Sequence, residues 1–94
     1  NMEYEIIHEE RYQQFTAKLG ENEEAEVAYA KPEDGTLNLM HTFVPDAYRG
    51  TGLAQKLIET ALCYAREHKL KVIATCSAVK KHIEENPEHQ DLLQ

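Results

Sequence analysis

Long apolar runs are missing from these 94 residues. No stretch approaches the roughly 18 residues that a membrane-spanning helix needs, so no such helix is expected. No apolar segment follows a basic start, so no secretory signal is expected either. Cysteine is scarce: Cys63 and Cys76 are the only two. That is too few for a disulfide framework, and neither belongs to a CxxC pair that would write a zinc knuckle. They read as reduced thiols of a cytoplasmic protein. Basic residues are outnumbered, with Lys plus Arg at 10 against Asp plus Glu at 17, a net charge of −7. That balance argues against nonspecific binding to nucleic acid or to an anionic membrane.

What is present fits a folded chain. Hydrophobic residues make up 41% and charged residues 29%, an ordinary composition for a globular domain. One domain over residues 2–94 is expected, with Asn1 ahead of Met2 read as a leftover of expression. A chain of this size buries about 60–65% of its unfolded surface. Its core is thin, and a catalytic site on it would be shallow or completed by a partner. The charge is uneven: residues 1–47 hold 3 basic and 11 acidic side chains, a net −8. Between Arg49 and Lys81 there are 7 basic side chains against Glu59 and Glu67, a net +5. A basic segment in an acidic chain suggests one specific anionic ligand; the plain alternative is that these Lys and Arg only solubilise two helices.

The chain starts with strands and ends with helices. Residues 10–19, with Tyr12 and Phe15 among polar neighbours, read as a first strand. Residues 25–30 read as a second, with Val27 and Tyr29 on one face. Lys31-Pro-Glu-Asp-Gly35 has strong turn chemistry. Residues 36–44 read as a third strand, with Leu37, Leu39, His41 and Phe43 alternating onto one face. These three strands predict an antiparallel meander. Leu53, Leu57, Ala61 and Ala65 then recur every four residues, with Ile58 and Leu62 widening the stripe. That spacing predicts an amphipathic helix over residues 52–68. Residues 71–76 are short and β-branched, a buried strand. Ser77 is placed to cap a second helix carrying Val79 and Ile83, ended by Asn86-Pro87. Strand, helix and strand between Thr36 and Cys76 make a βαβ unit, whose two strands should run parallel. Ligands of open α/β sheets bind at the carboxyl ends of such strands.

The richest stretch lies there: His41-Thr-Phe-Val-Pro-Asp-Ala-Tyr-Arg-Gly-Thr-Gly-Leu-Ala54. Two glycines two apart, directly before a long helix, expose amides at a positive helix end and suit a phosphate or pyrophosphate. The plain alternative is a glycine loop closing a strand. A P-loop is excluded because GxxxxGK[ST] is absent, and Gln55 occupies the last glycine position of a dinucleotide fingerprint.

Arg49-Gly50-Thr51-Gly52-Leu53-Ala54 fits the (Gln/Arg)-x-x-Gly-x-(Gly/Ala) signature of the GNAT acetyltransferases. With His41-Thr-Phe-Val-Pro-Asp46, Leu70-Lys-Val-Ile-Ala-Thr-Cys-Ser77 and the ending Asn86-Pro-Glu-His-Gln-Asp-Leu-Leu93, the chain resembles the minimal, single-domain GNAT-like subgroup over about residues 5–93. The resemblance implies a truncated α/β (α+β) GNAT-like fold: antiparallel strands, a βαβ unit and a C-terminal helix. It implies acetyl-coenzyme A as cofactor, its pyrophosphate on the amides of Arg49, Gly50, Thr51, Gly52, Leu53 and Ala54. The pantetheine would pair with Phe43 and Val44. Ser77 and Lys80, or Lys81, are candidates for the remaining contacts, although Lys80 and Lys81 suit a solvated helix face equally well.

Two departures stand out. A full GNAT domain has further elements enclosing the acceptor, so the acceptor side should be open. The tyrosine that protonates the leaving thiolate has no match in residues 77–86, where His82 is the nearest titratable aromatic, and the strand glutamate base is missing from residues 36–44. His41 is the candidate base, since an imidazole titrates near neutral pH. Cys76 is the candidate nucleophile or acid, since a helix N-terminus lowers a thiol pKa. The subgroup carries this Cys and His; the plain alternatives are a structural histidine and a small buried residue. Cys63 reads as helix packing, and His8, His68 and His89, lacking metal spacing, as surface residues, with no metal expected.

The resulting expectation is an N-acetyltransferase acting on an amine, small or a protein lysine, directly or through acetyl-Cys76, as a monomer or weak dimer. The competing readings are a coenzyme A-binding regulatory module without turnover, and an interaction domain whose acidic first half docks a basic partner.

Overall fold

A computed structural model describes residues 4–94; the reading of Asn1 lies outside them. Ten elements follow one another. The strands are β1 (Ile6–Glu9), β2 (Gln14–Gly20), β3 (Glu23–Ala30), β4 (Thr36–Phe43) and β5 (Lys71–Ala74). The helices are α1 (Leu53–Glu67) and α2 (Ser77–Glu85), with 3₁₀ turns at Glu10–Tyr12, Asp46–Tyr48 and Pro87–Leu92. The strands form one sheet in the order β1-β2-β3-β4-β5. The first three pairings are antiparallel and β4–β5 is parallel, as a βαβ connection requires.

The first strand expected over residues 10–19 is corrected. The chain turns at Glu10–Tyr12, and Gln13 takes a left-handed φ of 55° before β2 begins. The segment before this turn is itself a strand, β1, paired Ile7 to Thr16 and His8 to Phe15. Ser77 is not the cap of α2 but its first residue; Cys76, with φ −87° and ψ 131°, holds the cap position.

Phe15, Ala17, Ala25, Val27, Tyr29, Leu37 and Leu39 stack on one sheet face, fully or nearly fully buried. Against them α1 presents Leu53, Leu57, Ile58, Ala61, Leu62 and Ala65, its four-residue stripe. Val79 and Ile83 of α2 and Leu92 complete the same core. Burying each Leu, Ile or Phe contributes about 1.5–3 kcal/mol, so this stripe is what fastens helix to sheet.

One irregularity positions the site. Tyr29 pairs with Leu39, but its neighbour Ala28 pairs with His41, so Met40 is an extra residue in β4. Because side chains alternate, one inserted residue exchanges the faces beyond it. Thr42, opposite Val27, takes the core side. His41, opposite Ala28, and Phe43, opposite Glu26, pass to the other face and are exposed. The expected alternation of His41 and Phe43 with Leu37 and Leu39 therefore fails at this bulge.

Candidate functional site

The site lies where β4 runs into α1. After Phe43 the chain turns through Asp46–Tyr48, with the Tyr48 amide donating to the Pro45 carbonyl at 2.9 Å. Gly50 (φ 77°) and Gly52 (φ 85°) are both left-handed, conformations that cost glycine nothing and L-residues about 1–2 kcal/mol. Gly52 caps α1 without a side chain, and the first turn of α1 holds no acidic residue. The leading amides of a helix have no carbonyl partner within it, so this end carries positive potential that its own side chains do not fill. The hydroxyl of Thr51 is committed to the Tyr48 carbonyl at 2.6 Å. Arg49 folds back, its Nε 3.3 Å from the Val44 carbonyl and 3.2 Å from Asp46.

Around this turn opens a cleft of about 500 Å³, lined by Thr42, Val44, Tyr48, Arg49, Gly50, Gly52, Leu53, Ala54, Gln55 and Ala78. Six of the residues singled out in the sequence thus meet: Val44, Arg49, Gly50, Gly52, Leu53 and Ala54. Phe43 is on the opposite sheet face. Ser77 precedes the lining residue Ala78. Lys80 lies over a separate hollow of about 250 Å³ with Ala74, Ile83, Glu84, Gln90 and Leu93. Sequence reasoning missed Thr42, whose inward aim the bulge creates, and Tyr48, which directly precedes the signature.

Parallel pairing ends at Leu39–Ala74. There the amides of Thr75 and Cys76 both donate to the Leu39 carbonyl, at 3.2 and 3.3 Å. Residues 40–43 continue β4 with no β5 partner, so the two strands part beside the cleft. Cys76 stands at this parting, half-buried, its sulfur 3.4 Å from the Thr42 hydroxyl. Burial pushes the thiol up, but the Thr42 hydroxyl and the backbone amides of Val79, Ala78 and Thr42 outweigh it and hold the thiol below its ordinary range. A thiolate is the nucleophilic form of cysteine, and these contacts shift the thiol toward it. His41 forms no side-chain hydrogen bond with Cys76 or any other described residue.

Three other expectations are revised. Cys63 is exposed rather than packed, and lines a hollow of about 490 Å³ with Ile6, His8, Lys56 and Tyr64. His8 is half-buried rather than fully at the surface: it bonds the Tyr29 hydroxyl at 2.6 Å and stacks on Phe15 at 4.2 Å. Burial lowers its pKa. His89 is buried, and its Nε2 lies 2.8 Å from Glu59 Oε1, while His82 Nε2 lies 2.8 Å from Glu59 Oε2.

No helix among the described residues is long and apolar enough to cross a membrane. The family profile described as GCN5-related N-acetyl-transferase matches residues 14–92. Protein NATD1 of Homo sapiens is 41% identical over 83 residues, spanning 87% of this chain and 74% of the human one. Protein NATD1 of Danio rerio is 36% identical over 88 residues, 93% of this chain and 80% of its own. The NMR solution structure of a GCN5-like protein from Staphylococcus aureus superposes with a TM-score of 0.78 at 34% identity, covering 97% of this chain and 88% of that one. With most of its length matched in sequence and in fold, the chain belongs to the GCN5-related N-acetyltransferase family.

Proposed function

We propose that the cleft binds acetyl-coenzyme A and that the acetyl group passes to an amine through Cys76. The observation that carries this reading is the coincidence, at one parting of parallel strands, of an unfilled helix start and a thiol held below its ordinary pKa. The pyrophosphate sits on the amides of the turn formed by Gly50, Thr51, Gly52, Leu53 and Ala54, where a helix N-terminus favours an anion. The pantetheine amides pair with the open edge of β4 at residues 40–43, whose backbone groups need partners. The thioester then reaches the parting of β4 and β5.

The Cys76 thiolate attacks the thioester carbonyl. The new carbon–sulfur bond forms as the bond to the coenzyme sulfur breaks, and coenzyme A leaves as a thiolate that takes a proton from water. An amine arriving from the uncovered face attacks acetyl-Cys76 and releases the Cys76 sulfur. His41, on that face and at the end of β4, accepts the amine proton. Lys80, over its separate hollow, has no part in these steps.

Mass spectrometry after mixing with acetyl-coenzyme A tests this. One acetyl group on the wild type, and none on Cys76→Ala, is expected. A Cys76→Ala variant that acetylates amines at the wild-type rate would reduce Cys76 to packing. No heat in calorimetry at millimolar coenzyme A would remove the reading altogether. One observation favours a second reading, a coenzyme A-binding module without turnover: α2 offers no tyrosine to protonate a leaving thiolate. Binding without acetyl transfer to Cys76 or to any of a panel of amines selects it.

A further inference from the structure

We propose that Glu59, His82 and His89 form a binding site for a divalent transition-metal ion of the zinc class. The three residues come from α1, α2 and the final 3₁₀ turn, and one ligand atom from each lies within 4.8 Å of the others. The two imidazoles are buried, with side-chain exposures of 8% and 7%, while the Glu59 side chain is 43% exposed. Both rings aim Nε2 at one carboxylate, at 2.8 Å in each case, and His89 Nε2 is also 3.0 Å from Oε2.

Two neutral imidazoles and one carboxylate are a donor set that suits zinc, with Zn–N and Zn–O bonds of about 2.0–2.2 Å. Ligands at that radius sit a little over 3 Å apart in a tetrahedron, so each imidazole needs to draw back from Glu59 by only a few tenths of an ångström, and the three ligand atoms already lie within 4.8 Å of one another. The exposed side of Glu59 leaves the fourth position to water. Nε2 is the His89 ring nitrogen turned to the cluster, while Nδ1, on the other side of the ring, is buried without a partner. The backbone holds the geometry in place, since Asn86 donates its side-chain amide to the His82 carbonyl at 2.8 Å and accepts from the His89 amide at 3.0 Å. Pro87 starts the turn between them. The ion neutralises the Glu59 charge in a chain of net −7. It would staple the end of the chain to both helices, one turn along α1 and α2 from the cleft-lining Gln55 and Ala78.

The test is titration of the chelator-stripped full chain with zinc chloride, read by native mass spectrometry, thermal unfolding and NMR of the histidine rings. One ion per chain is expected, with a melting temperature that rises with zinc concentration and shifts confined to the rings of His82 and His89. Glu59→Gln and His89→Gln should each weaken binding at least tenfold. A Cys63→Ser, Cys76→Ser double variant should bind as the wild type does. Absence of one-to-one binding overturns the proposal, and so does binding that follows the cysteines or perturbs other histidines. The ring shifts are read on the wild type, so a variant that fails to fold leaves the test intact.

Discussion

Gly52 offers a graded test of the turn that carries the functional reading. Its φ is 85°, and nothing lies within 4 Å of where a Cβ would stand. Space is therefore not limiting, and the backbone conformation alone sets the cost. An alanine held in the left-handed region costs about 1–2 kcal/mol, whereas asparagine tolerates it. Asparagine gains little as a cap, because capping geometry needs an extended φ and ψ that this position lacks. The expected order of stability is glycine, then Gly52→Asn, then Gly52→Ala, then Gly52→Val, whose branched side chain suits a positive φ least. About 1 kcal/mol moves the melting temperature of a domain of this size by about 4–8 °C, so urea and thermal unfolding resolve the series. Coenzyme A affinity, read by calorimetry, should fall in the same order, because a relaxed turn swings the amides of Leu53 and Ala54 away from the pyrophosphate. Alanine and valine variants as stable and as tightly binding as the parent would show that the turn is not left-handed at Gly52, and the anion site argued from it would fall.

Three further outcomes can be measured. Leu57→Ala removes a side chain with no exposed surface and should cost about 2–5 kcal/mol in urea unfolding; a loss under about 1 kcal/mol would mean that the α1 stripe is not the core. Arg66 grips Asp91 with two bonds of 2.8 and 2.9 Å and holds its carboxyl down at about 2, from an ordinary 3.8. A depressed carboxyl stabilises the fold above its unfolded pKa and loses that contribution as pH falls through the folded one. The wild type and Asp91→Asn should therefore differ most above pH 4 and converge toward pH 2, with added salt narrowing the gap because the pair is exposed; parallel stability curves down to pH 2 would contradict the pairing. Thr42→Val should move the pH profile of Cys76 alkylation upward, while Thr42→Ser retains it and the exposed Cys63 serves as an internal standard. An unmoved profile would show that the hydroxyl does not support the thiolate.

The parts of this molecule legible in its sequence are those written by local periodicity. The four-residue spacing from Leu53 to Ala65 gave α1 almost to the residue, and Pro-Glu-Asp-Gly gave the turn before β4. The signature Arg49–Ala54 marked the junction because glycine at two left-handed positions is a local backbone demand. Long-range convergence is not written this way. Glu59 and His82 are 23 residues apart, and His82 and His89 seven, a spacing with no meaning until α1 and α2 pack side by side. The partial burial of His8 likewise depends on Phe15, Tyr29 and Tyr64, which arrive from three different elements.

The bulge at Met40 is the most consequential of these hidden features. Nothing in Leu37-Asn-Leu-Met-His-Thr-Phe43 announces an extra residue, because strict alternation fits that segment equally well. What selects the bulge is the pairing of β4 with β3, a contact made elsewhere in the chain. Its effect reaches the chemistry by two routes. It turns Thr42 inward, onto the sulfur of Cys76, and it sends His41 outward, onto the face from which the proposed acceptor would approach. It also falls where β5 stops pairing, directly after Leu39, so the open edge of β4 begins at the inserted residue. A regular strand would have placed an imidazole in the cleft, a threonine outside it and no hydroxyl beside the thiol. The division of labour proposed for Cys76 and His41, one on each side of the sheet, is thus a consequence of one residue of register.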